Sequence, residues 1–147
     1  MQGVAVHGIF LDETPNRYSA KTAEYLDAVR QEVKNSSGIL GDRMVIYNPG
    51  SIPDTRFANL GPDLTAVFEE TYQTYRSKAL QDRLSSVPYA RSRCCYIVHS
   101  VPSNEVRQLV TQLRHRAGYL FLTGLSENYY ASFGPTWSDF VAAMSTE

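Results

Sequence analysis

Four carboxylates of this sequence fall in two adjacent pairs, Asp12-Glu13 and Glu69-Glu70, and each pair follows directly on a short apolar run. Such runs read as strands, so all four acids are expected at strand C-terminal ends. Asn48, His99 and Thr123 close three similar runs at residues 44–47, 94–98 and 119–122. In barrels and open α/β sheets that rim is where ligands bind and reactions occur. Carboxylates gathered there can serve as nucleophile and as general acid or base. Two of them flanking a bond, one protonated and one ionised, are the equipment for cutting a glycosidic linkage. Acids at strand ends also solvate loop entrances and cap helices, a use with no chemistry in it.

Aromatic residues are the second theme. Ten tyrosines and one tryptophan are present, and Tyr18, Tyr72, Tyr75, Tyr129, Tyr130 and Trp137 lie soon after the predicted strand ends. An aromatic ring offers a flat apolar face with a polar edge, a surface on which sugar rings stack. Tyr72 and Tyr75, three apart, also fit one packing face of a helix, whereas Tyr129-Tyr130 falls in a loop-like stretch. His99 suits either a ligand or a structural role. His7 inside a strand is expected to be structural, and His115 between Arg114 and Arg116 to lie on a solvated face. No set of His, Cys, Asp and Glu has metal-ligand spacing, so neither metal nor cofactor is called for.

The elements that must position these groups alternate. Residues 4–11 form a near-continuous apolar run, followed by Ser19 as an N-cap and by Ala23, Leu26, Val29 and Val33 at helical spacing. The run at 44–47 stops at the turn signal Asn48-Pro49-Gly50. A strand at 64–68 precedes a helical pattern over 73–84. After the strand at 94–98, Ser103 is expected to cap a helix whose apolar face is Val106, Leu109, Val110 and Leu113. Ser138 is expected to open a last helix after the strand at 119–122. Apolar strands separated by helices predict an α/β fold with parallel strands. Both an open doubly wound sheet and part of a (β/α)₈ barrel fit, and strand order separates them.

Composition narrows the partners. The 147 residues are 43 % hydrophobic and 20 % charged, with a formal net charge of −1, which is the profile of an ordinary globular domain. No basic stripe suggests nucleic acid, and no apolar run approaches the length of a membrane span. No glycine-rich phosphate loop is present. The adjacent cysteines Cys94 and Cys95 would point to opposite faces of a strand, so they are read as packing residues rather than a disulfide.

Five blocks, in order, resemble one family. They are Gly8-Ile9-Phe10-Leu11-Asp12-Glu13-Thr14-Pro15-Asn16, Asn48-Pro49-Gly50-Ser51-Ile52-Pro53-Asp54, Val67-Phe68-Glu69-Glu70-Thr71-Tyr72, Ile97-Val98-His99-Ser100-Val101-Pro102, and Asn128-Tyr129-Tyr130 with Phe133-Gly134-Pro135-Thr136-Trp137. The chain so resembles the spherulin 4 family. That resemblance implies a (β/α)₈ barrel, and endo-hydrolysis of α-1,4-linked N-acetylgalactosamine in galactosaminogalactan, a wall and biofilm polymer. It also implies an extracellular or cell-wall location. It places the catalytic acids on Asp12, Glu13 and Glu69, while position at strand ends and aromatic character make Asn48, Glu70, Tyr72, His99, Tyr129, Tyr130 and Trp137 the expected substrate contacts. Asp12 would be the nucleophile or stabilising carboxylate, Glu69 the general acid/base, and Glu13 a substrate contact or a tuner of its neighbour. Neighbours on a strand face opposite ways, so Asp12 and Glu13 share a cleft only where the strand has ended.

The family carries about three further βα units before the Asp-Glu strand, and barrels commonly run to about 250 residues. The expectation is therefore a single domain, residues 1–147, holding the later five strands, with the first strands and a signal segment outside it. Two open parallel edges would then invite self-association. A non-catalytic carbohydrate-binding or wall-associated fragment of the same family is the alternative to an active hydrolase.

Overall fold

A strand persists only while a neighbour accepts its backbone hydrogen bonds, and this sets the boundaries seen in the computed structural model, which describes residues 4–145. Strands β1 (Gly8–Leu11), β2 (Met44–Tyr47), β3 (Leu64–Thr71), β4 (Cys94–His99) and β5 (Tyr119–Leu122) form one sheet in the order β1-β2-β3-β4-β5. The pairings of β1 with β2, β2 with β3 and β4 with β5 are parallel. A doubly wound sheet reverses its order at a switch point. This sheet does not, and its sequential order is that of consecutive βα units of a (β/α)₈ barrel. The helices are α1 (Ala20–Asn35), α2 (Tyr72–Tyr75), α3 (Lys78–Ser85), α4 (Val106–Leu113) and α5 (Trp137–Met144).

Several expected boundaries move. The first strand begins at Gly8, where the register with Met44 of β2 starts, and before it the Val6 carbonyl accepts from the Leu40 N–H ahead of β2. The third strand runs on to Thr71, so Glu69 and Glu70 lie within it rather than beyond it. The single helix expected after it is two: Thr71 caps α2 by accepting from the Thr74 N–H at 3.0 Å, and the chain breaks at Arg76-Ser77 before α3. Ser103 does not cap α4. Pro102 leads instead into a 3₁₀ turn, Ser103–Glu105, and α4 begins at Val106. Helix α5 starts at Trp137, one residue before the expected Ser138, with Thr136 at its N-cap.

Contacts divide the chain into two compact units, Met1–Val67 and Phe68–Glu147. In the first, Leu26 and Val33 of α1 meet Val45 and Tyr47 of β2 and Phe57, with Ile9, Leu11 and Tyr18 packed around them. Each such side chain contributes about 1.5–3 kcal/mol when fully buried. Ser19 caps α1 through a reciprocal capping box with Thr22. Tyr47 donates to the Leu26 carbonyl at 2.5 Å, and burial pushes its phenol up to about 12. Gly8 is required by a close approach, since a Cβ there would meet the Met44 carbonyl oxygen at 2.6 Å. In the second unit, Phe68 meets Tyr75 and Tyr96 with ring centroids 5.7 and 5.9 Å apart. The expected face of α4 (Val106, Leu109, Val110, Leu113) is buried. Cys94 is buried, Cys95 is half-buried, and both are free thiols.

Asp63 links helix to sheet in the first unit. One of its oxygens accepts from the Val45 N–H and from Lys34 Nζ, each at 2.7 Å. Burial alone would push this carboxyl up, but the bonds from Lys34 and Val45 and the Lys34 charge outweigh it, and the group sits below its ordinary value. A depressed carboxyl adds stability that is complete above its unfolded pKa and is lost as pH falls through the lower folded one. Asp63→Asn should therefore fall behind wild type in urea midpoint above about pH 4 and converge with it in more acid buffer. Parallel midpoint-against-pH curves would show that the Lys34 pairing contributes nothing.

Candidate functional site

The polar strand ends of the first unit are tied by one buried amide. Strand β1 stops at Leu11 and Glu13 has φ 52°, in the left-handed region that non-glycine residues seldom occupy. Strand alternation therefore ends before Asp12, and it no longer forces Asp12 and Glu13 apart. Oδ1 of Asp12 accepts from the Glu13 N–H and from Nδ2 of Asn48, both at 2.9 Å. Asn48 is 0 % exposed. Its N–H donates to the Leu11 carbonyl, its own carbonyl accepts from the Thr14 N–H, and its Oδ1 accepts from the Gly50 N–H at 3.2 Å. One residue thus ties both strand ends through its backbone and the carboxylate between them through its side chain, while Asp12 and Glu13 remain exposed.

The second unit builds a denser site around Glu69. Its Oε1 accepts two phenols, Tyr129 Oη at 2.9 Å and Tyr130 Oη at 2.5 Å. The Tyr129 ring lies flat on His99, with centroids 4.5 Å apart and planes 8° apart. Tyr130 stacks on Phe121 at 5.9 Å and 20°. The cluster continues through Trp137, which meets Phe121 at 6.5 Å and Phe133 at 4.4 Å. His99 Nδ1 lies 3.1 Å from the Ser100 hydroxyl. Cys95 is close enough to Glu69 to feel its charge: burial, aided by that charge, pushes the thiol up to about 11.

Of the residues expected at a site, the structure thus joins Asp12, Glu13 and Asn48 in one unit, and Glu69, His99, Tyr129, Tyr130 and Trp137 in the other. Two residues of the second unit go elsewhere. Glu70 alternates with Glu69 along β3 and so faces away from it; it is exposed and accepts from the Thr71 N–H at 3.1 Å. Tyr72 donates to Glu105 Oε2 at 2.9 Å, in a separate pocket of about 350 Å³ shared with Arg76, Gln108 and Gln112. Burial and that hydrogen bond hold its phenol above the ordinary value.

Three residues of the cluster were not among the expected site residues: Phe121, Phe133 and Thr136, although the last two lie in the block that ends at Trp137. For Phe121 a signal existed, since strand alternation puts it on the face of β5 shared with Tyr119 and Thr123. Thr136 roots the aromatic loop. It is 1 % exposed, and its hydroxyl accepts from the Gly124 N–H at 2.8 Å. Thr123, also buried, accepts from the Leu125 N–H at 3.2 Å. A Cβ on Gly134 would lie 2.9 Å from the Thr123 hydroxyl, so only glycine lets the loop close here.

Two comparisons with known proteins agree with one another. The model of Spherulin4, spherulation-specific family 4, matches residues 1–144. Sph3 of Aspergillus clavatus, whose crystal structure was determined in complex with GalNAc, is similar at 40 % sequence identity and a TM-score of 0.88. The alignment covers 97 % of this chain and 58 % of that one, so this chain spans a little over half the length of Sph3. The search of curated proteins gave no match.

Thr136→Val keeps the shape of the side chain but leaves the Gly124 N–H without its acceptor. The expected cost is about 1–3 kcal/mol, measurable by urea denaturation, together with faster amide exchange over residues 124–136. Unchanged stability and exchange would mean that the loop is rooted elsewhere.

Proposed function

The chain belongs to spherulation-specific family 4, and on that footing we propose that it is a glycoside hydrolase that cuts within chains of α-1,4-linked N-acetylgalactosamine, as in galactosaminogalactan. The observation that carries this reading is the Glu69 carboxylate held by two phenols within a group of stacked aromatic rings. It combines a proton-transfer group with surfaces that suit sugar rings. The 40 % identity to Sph3, a protein crystallised with GalNAc, supports the amino-sugar.

Glu69 is the proposed general acid/base. Asp12 is the proposed nucleophile or stabilising carboxylate, held in orientation by Asn48. Glu13 is a substrate contact or a tuner of Asp12. His99, Tyr129, Tyr130 and Trp137 are the proposed sugar contacts. Glu70 and Tyr72 have other partners and fit that role less well. Family membership makes an extracellular or cell-wall setting part of the same reading. Among the described residues no helix is long and apolar enough to cross a membrane.

A second reading, a carbohydrate-binding protein without catalysis, is favoured by one observation. Phe133 is 74 % exposed and stacked on Trp137, a sugar-sized surface that needs no carboxylate.

The two readings separate when purified chain is incubated with galactosaminogalactan and the soluble products are read by mass spectrometry. Oligomers of N-acetylgalactosamine from wild type, and their near-absence from Glu69→Gln with polymer binding retained, are expected of the hydrolase. A loss of about 10²–10⁴-fold is typical when a general acid is removed. Binding without release from either protein would favour the second reading. Full activity in Glu69→Gln would remove Glu69 from the mechanism.

A further inference from the structure

A general acid must be aimed as well as present. A glutamate carboxylate turns about three side-chain torsions, and a misplacement of about 1 Å at a reacting group can lower a rate by about 10²-fold. What aims Glu69 is visible in the second unit. Two hydroxyls from consecutive residues converge on a single oxygen, Oε1, at 2.9 and 2.5 Å. In extended chain, consecutive side chains diverge. Here the chain turns first: Asn128 has φ 47°, and the Ala131 N–H donates back to the Asn128 carbonyl at 2.8 Å. That turn lets Tyr129 and Tyr130 approach the same atom, with ring centroids 4.7 Å apart and planes 58° apart.

Each phenol is backed by a ring from a different strand. His99 of β4 lies flat under Tyr129, and Phe121 of β5 lies under Tyr130. The loop itself is sewn to the sheet, because the Ser100 N–H donates to the Leu125 carbonyl and the Val101 N–H to the Thr123 carbonyl. We propose that Tyr129 and Tyr130, backed by His99 and Phe121, are positioning residues that clamp the Glu69 carboxylate in one orientation. Each hydroxyl gives its one proton to the carboxylate, so it cannot also donate to a sugar. This inference rests on reading Glu69 as the acid/base, and it assigns a role to Phe121 that a sugar-contact reading does not.

Tyr→Phe substitutions isolate the hydroxyls, since they keep the rings and their stacking. Initial rates of the full chain on soluble N-acetylgalactosamine oligomers should fall about 10–100-fold in kcat for the double variant Tyr129→Phe/Tyr130→Phe. KM should stay within about twofold, and the pH–rate profile should move, because the group that titrates has lost two partners. Phe121→Leu should reproduce part of the kcat loss, and Phe121→Tyr, which restores a ring, should regain it. A double variant with wild-type kcat and pH profile would overturn the clamp, as would a loss lying wholly in KM, the mark of a sugar contact.

A second measurement needs no turnover. In a cycle of Tyr130→Phe, Glu69→Met and the pair, the clamp predicts non-additive shifts in thermal midpoint, and additive shifts would overturn it. If wild type released no product, the hydrolase reading would fall, and this cycle would decide the clamp by itself.

Discussion

The hydrogen-bonding requirement of backbone where a parallel strand ends shapes everything else at the candidate site. Between paired strands the N–H and C=O groups find partners in the ladder. At the strand ends they do not, and burying them unpaired costs more than a typical hydrogen bond returns. This chain meets the requirement largely with local side chains. Asn48 receives the Gly50 N–H, Asp12 the Glu13 N–H, Glu70 the Thr71 N–H, Thr123 the Leu125 N–H, and Thr136 the Gly124 N–H. Polar residues at strand ends therefore have two employments, closing backbone and meeting a ligand, and the geometry decides which dominates. Glu70 closes backbone. Asp12 does both, since the atom that accepts the Glu13 N–H belongs to an exposed carboxylate.

The loop after β5 shows how such closure turns into position. Threonine is the right residue at 123 and 136 because its hydroxyl accepts a backbone hydrogen while its methyl packs, and both threonines are almost wholly buried. With the root of the loop fixed, Asn128 can adopt a left-handed conformation, one that asparagine tolerates better than most residues. The two tyrosines then arrive at Glu69 from one short turn. A chain of small local requirements thus ends in the placement of two hydroxyls.

Sequence patterns made much of this legible. Strands β2 and β5 begin and end where the apolar runs do, the Ser19 cap opens α1, and the buried face of α4 holds the four residues its periodicity names. What the pattern missed has physical causes. Strand β3 continues through two charged residues, because Glu69 finds phenol partners and Glu70 reaches solvent, so charge did not end it. The break between α2 and α3 carries no glycine or proline to announce it. Ser103 has the composition of a cap, yet Pro102 precedes it and leads into a 3₁₀ turn. The acids of the candidate site were visible as types at strand ends. Tyr129 and Tyr130 were visible as aromatics of the site, but their pairing with Glu69 was not, because the pairs lie about 60 positions apart along the chain and no local periodicity links them.

The same functional group serves opposite ends within this one chain, and its partners account for the difference. Asp63 is met by the Lys34 ammonium and a strand amide, a pairing that fastens a helix to the sheet and lowers the group's pKa. At Glu69 the phenols are neutral donors: they orient the carboxylate without bringing a counter-charge to it. The neighbouring thiol keeps to the same rule. Burial, together with the Glu69 charge, pushes Cys95 up to about 11, so at neutral pH no thiolate stands beside the carboxylate. The two phenols thus give Glu69 a direction, where the Lys34 ammonium gives Asp63 an attachment.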